Sequence, residues 1–316
     1  VAWTVLVGQA AAGQGGTTMA IRVGNSPCSW GVDYADDPTN IAWSRCMDQV
    51  RESGADCIDL GPVGYLPEDA AVLSGELARR GLVLTAGHLF EPFHDPAQHE
   101  AIKRQAHRVC GVLAGQGVSR LVVIDHITPE RGRTAGAAQR ASRLGHAEWA
   151  DMMRGFREVA AIAQGEYGVT ACLHPHAACF VEFRDEIDRA MQDLPASLVK
   201  LCIHTGHSAY AGIDPAELLR GYNDRVVHLH FKDVDPAVRS RVVEEGVEFD
   251  AAVSRGVFCP VGKGMVDFTD FRAAMRDTAY AGWGSIEQDI DPGKGQDPLV
   301  YATESLRYLR AVGIAR

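Results

Sequence analysis

The amino-acid sequence predicts a closed eight-stranded parallel barrel, (β/α)8, folded as a single domain. Three observations point there. Short apolar runs bounded by Gly, Asp or Pro recur from Met19 onward. Amphipathic helical stretches separate them, and such alternation gives parallel βαβ units. The length of 316 residues suits a barrel of about 250 residues carrying insertions. An open doubly wound sheet is the competing architecture. Its Gly-rich turn G-x-G-x-x-G is missing after the first strand, where the chain reads NSPCSWG.

In chain order the strand-like runs are IRVGNSPCSW, DCIDLG, LVLTAGHLF, RLVVID, VTACLHPH, LVKLCIH, RVVHLHFKDV and WGSIEQD. They place strand ends near Trp30, Gly61, Leu89, Asp125, His174, His204, Phe231 and Asp289. The first helix, IAWSRCMDQVRESG, puts Ile41, Trp43, Cys46 and Val50 near one face and stops at Gly54. EDAAVLSGELARRG stops the same way at Gly81, and the helix around Trp149 presents a core face. One connection, from Lys232 to Asp267, is much longer than the others and has the length of a functional lid. Residues 1–18 read as a disordered extension, consistent with an over-extended start of the reading frame. Residues 19–316 read as the barrel. No Lys or Arg precedes the apolar N-terminal stretch, so it lacks the pattern of a secretory signal.

Hydrophobic residues make up 46 % and charged residues 23 %, with a formal charge of −10. That balance suits a soluble, cytoplasmic globular protein and gives no basic footprint for nucleic acid or a membrane surface. A homo-oligomer stays open. None of the eight cysteines forms a C-x-x-C pair, and several sit in apolar runs, so they read as reduced structural thiols.

The polar residues at the strand ends of the second half carry the chemistry. His174, His176 and Glu182 follow strand five, and His204 and His207 follow strand six. Strand seven carries His228, His230, Lys232 and Asp233; strand eight carries Glu287 and Asp289. In a parallel barrel these ends converge on one face, where active sites lie. Burying such groups without partners costs several kcal/mol, so they need each other, water or a metal. His228 and His230 share a face by strand alternation. His230, nearer the mouth, is the ligand candidate with Glu287, and His228 is a supporting group. Imidazole with carboxylate suits a divalent transition metal. His88, His94 and His126 stand alone near other strand ends and read as satisfied polar residues.

Seven segments resemble the sugar-phosphate isomerase/epimerase superfamily, the xylose-isomerase-like TIM barrels, and within it the inosose (2-keto-myo-inositol) dehydratases. They are SPCSWGV, DLGPVGYLP, HPH with the following VE, TGH, HLHFKDV, PVGKGMVDF and GWGSIEQD, in the family's order over nearly all of the chain after Met19. The resemblance implies one divalent ion, Mn²⁺ or Co²⁺ first and Zn²⁺, Fe²⁺ or Mg²⁺ as alternatives. Its implied ligands are Glu182 or the HPH segment, position 204, His230 and Glu287. The family has D-T-G-H where this chain reads H-T-G-H, so His204 stands in place of Asp and removes one negative charge. His174, His176 and Lys232 are the implied acid–base groups. His207 is the implied substrate contact, with Trp30 either a wall for the sugar ring or plain core. The implied substrate is a small polyhydroxylated keto compound, and the implied reaction is dehydration through an enolate. A ketose isomerase or 3-epimerase shares the first half of that chemistry. A non-catalytic barrel binding a sugar or a partner protein is the remaining alternative.

Overall fold

The computed structural model describes residues 20–290 and 294–316. The expectation for residues 1–18 lies outside them. The strands are β1 (Arg22–Asn25), β2 (Cys57–Ile58), β3 (Val83–Leu84), β4 (Gly87–Glu91), β5 (Arg120–Asp125), β6 (Thr170–Leu173), β7 (Val199–His204), β8 (Val226–Phe231), β9 (Asp233–Val234), β10 (Phe258–Cys259) and β11 (Trp283–Ile286). The main sheet runs in the order β3-β2-β1-β11-β8-β7-β6-β5-β4, and all its pairings are parallel. β3 and β4 are two pieces of one barrel strand, interrupted at Thr85 and Ala86. One piece pairs with β2 and the other with β5, so the order begins and ends on the same strand and the barrel closes.

The expected strand ends at Asp125, His204 and Phe231 agree with the structure, and that at His174 falls one residue beyond β6. The strand expected to end near Leu89 runs on to Glu91, and those expected to end near Trp30, Gly61 and Asp289 stop sooner. β1 stops at Asn25, and Pro27–Trp30 forms a 3-10 turn, since proline cannot donate to a central ladder. The last strand stops at Ile286, although Glu287 N–H still donates to Phe231 O.

Strand alternation sorts side chains into two compartments. Leu121, Val123, Leu173, Leu201, Ile203 and Leu229 belong to the large apolar core, which also takes up the buried faces of the helices. The helix Trp43–Glu52 contributes Cys46, Met47 and Val50, and Ala70–Arg80 contributes Leu73 and Leu77 before Gly81 ends it at φ 64°. Val122, Ile124, Cys172 and Cys202 form a second, small cluster. His174 and His204 stand two residues beyond the last two and so continue the same face. Tryptophan 149 lies in the large core, as expected.

The long connection after Lys232 holds secondary structure of its own. β9 and β10 form an antiparallel pair, with helices Pro236–Glu245 and Phe249–Ser254 between them. Asp233 ties down its return: its carboxylate accepts the backbone N–H groups of Gly262, Gly264 and Val266. Any Cβ at Gly264 would run into that carboxylate. Phe249 and Phe258 from this segment reach the rings of His176 and His207. All eight cysteines are free thiols. Among the described residues no helix is long and apolar enough to cross a membrane.

Candidate metal centre

The ladders bring the polar strand ends together. His204 is in register with His230 across β7 and β8, and Ser285 is in register with His230 across β8 and β11. Glu287, just past β11, therefore reaches the same point from the other side. His174, His204, His230 and Glu287 form one cluster of potential ligand atoms, all buried. Glu287 Oε2 lies 2.8 Å from His230 Nδ1, 3.4 Å from His204 Nε2 and 3.7 Å from His174 Nε2. The other oxygen, Oε1, accepts from Cys28 Sγ at 3.0 Å.

These contacts are close, yet they lack the alignment of hydrogen bonds. Both ring nitrogens of His174 and of His230, and Nε2 of His204, are buried without a hydrogen-bond partner. A satisfied polar core does not look like this. Convergent donors around one carboxylate oxygen fit a divalent cation, and imidazole with carboxylate is a donor set for Mn²⁺, Fe²⁺, Co²⁺ or Zn²⁺. His204 fits with one reservation of chemistry: its Nδ1 accepts the backbone N–H of His207 at 3.3 Å. A neutral ring with that bond carries its proton on Nε2, facing Glu287. His204 ligates only after the ring changes tautomer and gives up this helix cap.

Protonation follows from the same packing. Burial lowers His174 to about 4 and holds His204 well below its usual value, so both rings are neutral near pH 7. Burial also pushes the Glu287 carboxyl up, but His230, His174 and His204 outweigh it and hold it well below the ordinary range. Burial lowers His230 as well, but Glu287 and Asp59 raise it to about 10.

Beside the cluster lies a second group. Lys232 is fully buried rather than solvated. Its Nζ is 2.7 Å from Asp289 Oδ2 and 3.2 Å from His207 Nε2. The rings of His176 and His207 are 3.7 Å apart. His176 Nδ1 donates to Ala177 O at 2.6 Å, which leaves a lone pair on Nε2. A cavity of about 470 Å³ opens over both groups, lined in part by Cys28, Asp33, His88, Phe90, His176, Glu287 and Asp289. A second hollow on the same rim is lined by Tyr34, His126, Phe249 and Asp250.

Two expected site residues lie elsewhere, and a third, His207, expected as a substrate contact, is buried behind the cavity and does not line it. Glu182 is outside the cluster. The backbone turns at Ala178 with φ 69°, and the Glu182 carboxylate meets Arg131 at 3.2 Å and accepts the N–H groups of Gly136 and Ala178. His174 supplies the donor from this segment. Trp30 is buried in the large core, with Nε1 donating to Gln49 at 2.6 Å, and it does not line the cavity. Tyr34, Phe90 and Phe249 are the aromatic groups on that rim. His94 and His126 are satisfied by Asp125 and Tyr34, as expected. His88 does not stand alone: it lies 3.7 Å from Asp59 and 3.9 Å from Glu287. Asp59 and Cys28 carried no functional expectation. A carboxylate at the end of the second apolar run was the only available signal for Asp59.

Comparison with known proteins agrees with this fold. The family model described as xylose isomerase-like TIM barrel matches residues 47–312. The chain is 31 % identical over 302 residues to inosose dehydratase of Geobacillus kaustophilus, covering 93 % of this chain and 95 % of that protein. It is 32 % identical to the rhizopine catabolism protein MocC of Rhizobium meliloti, covering 90 % and 86 %. Among solved structures it resembles the probable 3-DHS dehydratase AsbF of Bacillus anthracis, with a TM-score of 0.70, 14 % identity and coverage of 92 % and 99 %.

Proposed function

We propose that this chain, which belongs to the xylose isomerase-like TIM-barrel family, is a cytoplasmic metal-dependent lyase that dehydrates a keto-inositol or a closely related keto-sugar. The observation that carries the reading is the convergence of Glu287, on the cavity lining, with three buried imidazoles whose facing nitrogens have no hydrogen-bond partner, beside an acid–base group. Relatives named inosose dehydratase, matched over nearly their whole length, supply the substrate class. His174, His230 and Glu287 would hold the ion, with His204 as a fourth ligand after its tautomer change. A divalent ion bound there supplies Lewis acidity to a substrate carbonyl, which favours an enolate.

The chain's own residues do the rest. Burial keeps His176 neutral, and its Nε2 lone pair is the acceptor for the α-proton. Lys232 holds a proton at Nζ between Asp289 and His207, placed to protonate a leaving hydroxyl. Asp289 and His207 keep that ammonium in position. The rim is acidic, with Asp33, Asp36, Glu91 and Asp250. Burial and then the Asp289 charge raise Asp33 to about 6. Arg108, on the same lining, is committed to Glu68 at 2.7 Å. This charge pattern favours an uncharged polyol over a sugar phosphate.

The test is to load the purified protein with Mn²⁺, Co²⁺ or Zn²⁺, add 2-keto-myo-inositol, and follow the ultraviolet absorption of the dehydrated diketone. Product that appears only with metal supports the reading. Epimerised or isomerised ketose without loss of water assigns the isomerase alternative. No turnover across a panel of keto-sugars overturns both.

A further inference from the structure

Below the mouth of the barrel lies another group of buried polar atoms, of which only His230 also belongs to the mouth cluster. Asp59, just beyond β2, is fully buried. Thr85 Oγ1 donates to its Oδ1, which fixes the carboxylate. The other oxygen, Oδ2, has no hydrogen-bond partner. Around it stand three imidazole nitrogens at nearly equal distances: His230 Nε2 at 3.6 Å, His88 Nε2 at 3.7 Å and His228 Nε2 at 3.8 Å. None of these three nitrogens has a hydrogen-bond partner either. His228 and His230 are fully buried.

The spacing is too long for N–H···O bonds and close to that of ligands around one small cation. Donors about 2.1 Å from a tetrahedral ion stand about 3.4 Å apart. Asp59 and His228 lie off the cavity, whereas His88 lines it and falls outside the set of ligand atoms that lie within 4.8 Å of one another. Two imidazoles and a carboxylate buried together are a donor set that zinc takes. His230 faces both centres, with Nδ1 toward Glu287 and Nε2 toward Asp59.

We propose that Asp59, His228 and His230 form a second, deeper divalent-cation site of zinc type. It shares His230 with the mouth site. When both are filled the bridging ring is an imidazolate, having released its last N–H proton to solvent. The deep ion ties the end of β2 to β8 and fixes the face that His230 turns to the mouth. The rival arrangement is a protonated His230 held between two carboxylates, with no deep ion.

The experiment is a metal count on the full chain. The protein is saturated with Zn²⁺ near pH 8, freed of loosely bound ion, and measured by elemental analysis. Anomalous diffraction at the zinc edge then locates the ions. Two ions per wild-type chain are expected, one of them beside Asp59 Oδ2. Asp59→Asn and His228→Gln should each fall to one ion and keep the mouth ion. Glu287→Gln should keep the deep one. Circular dichroism checks that each variant folds, and the wild-type count needs no variant at all. One ion or none in the wild type, or two that Asp59→Asn and His228→Gln both leave in place, overturns the proposal.

Discussion

Glu182 and Glu287 are both buried carboxylates near strand ends of the same barrel, but their surroundings differ. Glu182 faces a guanidinium and two backbone N–H groups, each along a hydrogen-bond direction. Glu287 faces three imidazoles whose nitrogens crowd one oxygen without bonding to it. The first environment completes the carboxylate; the second keeps buried imidazole nitrogens beside it without hydrogen-bond partners. Burial by itself therefore does not mark a functional acid. Unused donor directions around it do.

Removing the acid that lacks proper partners should have the largest functional effect. Glu287→Gln is expected to lose the mouth ion and to lower kcat/KM on the order of 10³-fold, as loss of several kcal/mol of Lewis-acid stabilisation requires. Its thermal stability should change little. Unchanged metal content at the mouth would break the comparison. Glu182→Gln should do the reverse. Arg131 keeps Glu186 at 2.8 Å but loses one partner in a fully buried pair, so unfolding free energy should drop by about 3 kcal/mol. Metal content should stay as in the wild type, measured on protein still folded at low temperature. A Glu182 variant that folds normally and has lost its metal would place Glu182 back among the ligands.

The pH dependence sharpens the contrast further. Without metal, His230 keeps a proton up to about 10, because Glu287 and Asp59 outweigh the effect of burial. An ion at the mouth must displace that proton. Affinity should therefore rise about tenfold per pH unit from neutrality toward pH 10, and flatten above it. Titration calorimetry in buffers of different ionisation enthalpy should count about one proton released per mouth ion. A pH-independent affinity between 7 and 9 would remove His230 from the ligand set. The smallest effect is expected at His204. His204→Asp adds a carboxylate where the ring now caps a helix. Mn²⁺ affinity should rise about tenfold, the scale of 1.4 kcal/mol, and persist to lower pH. Superimposed curves for the two proteins would show that position 204 is not a ligand.

The sequence by itself determined the barrel. Periodicity fixes strand and helix over a few residues at a time, and eight apolar runs separated by amphipathic helices leave few other folds. It also determined that His204, His230 and Glu287 meet, because parallel strands carry their ends to one face whatever the packing between them. It left His174 and Glu182 undecided, since both follow the same strand. Only the tertiary structure chose between them: a left-handed turn at Ala178 aims Glu182 at Arg131, a partner 51 positions away. Likewise Trp30 is core because Gln49 from the next helix meets its indole N–H. Asp59 and His88 become a group with His228 only when the barrel closes and brings the second and third strands across the interior from the seventh. Such contacts depend on distance through space between residues far apart in the chain, and local pattern has no access to that distance.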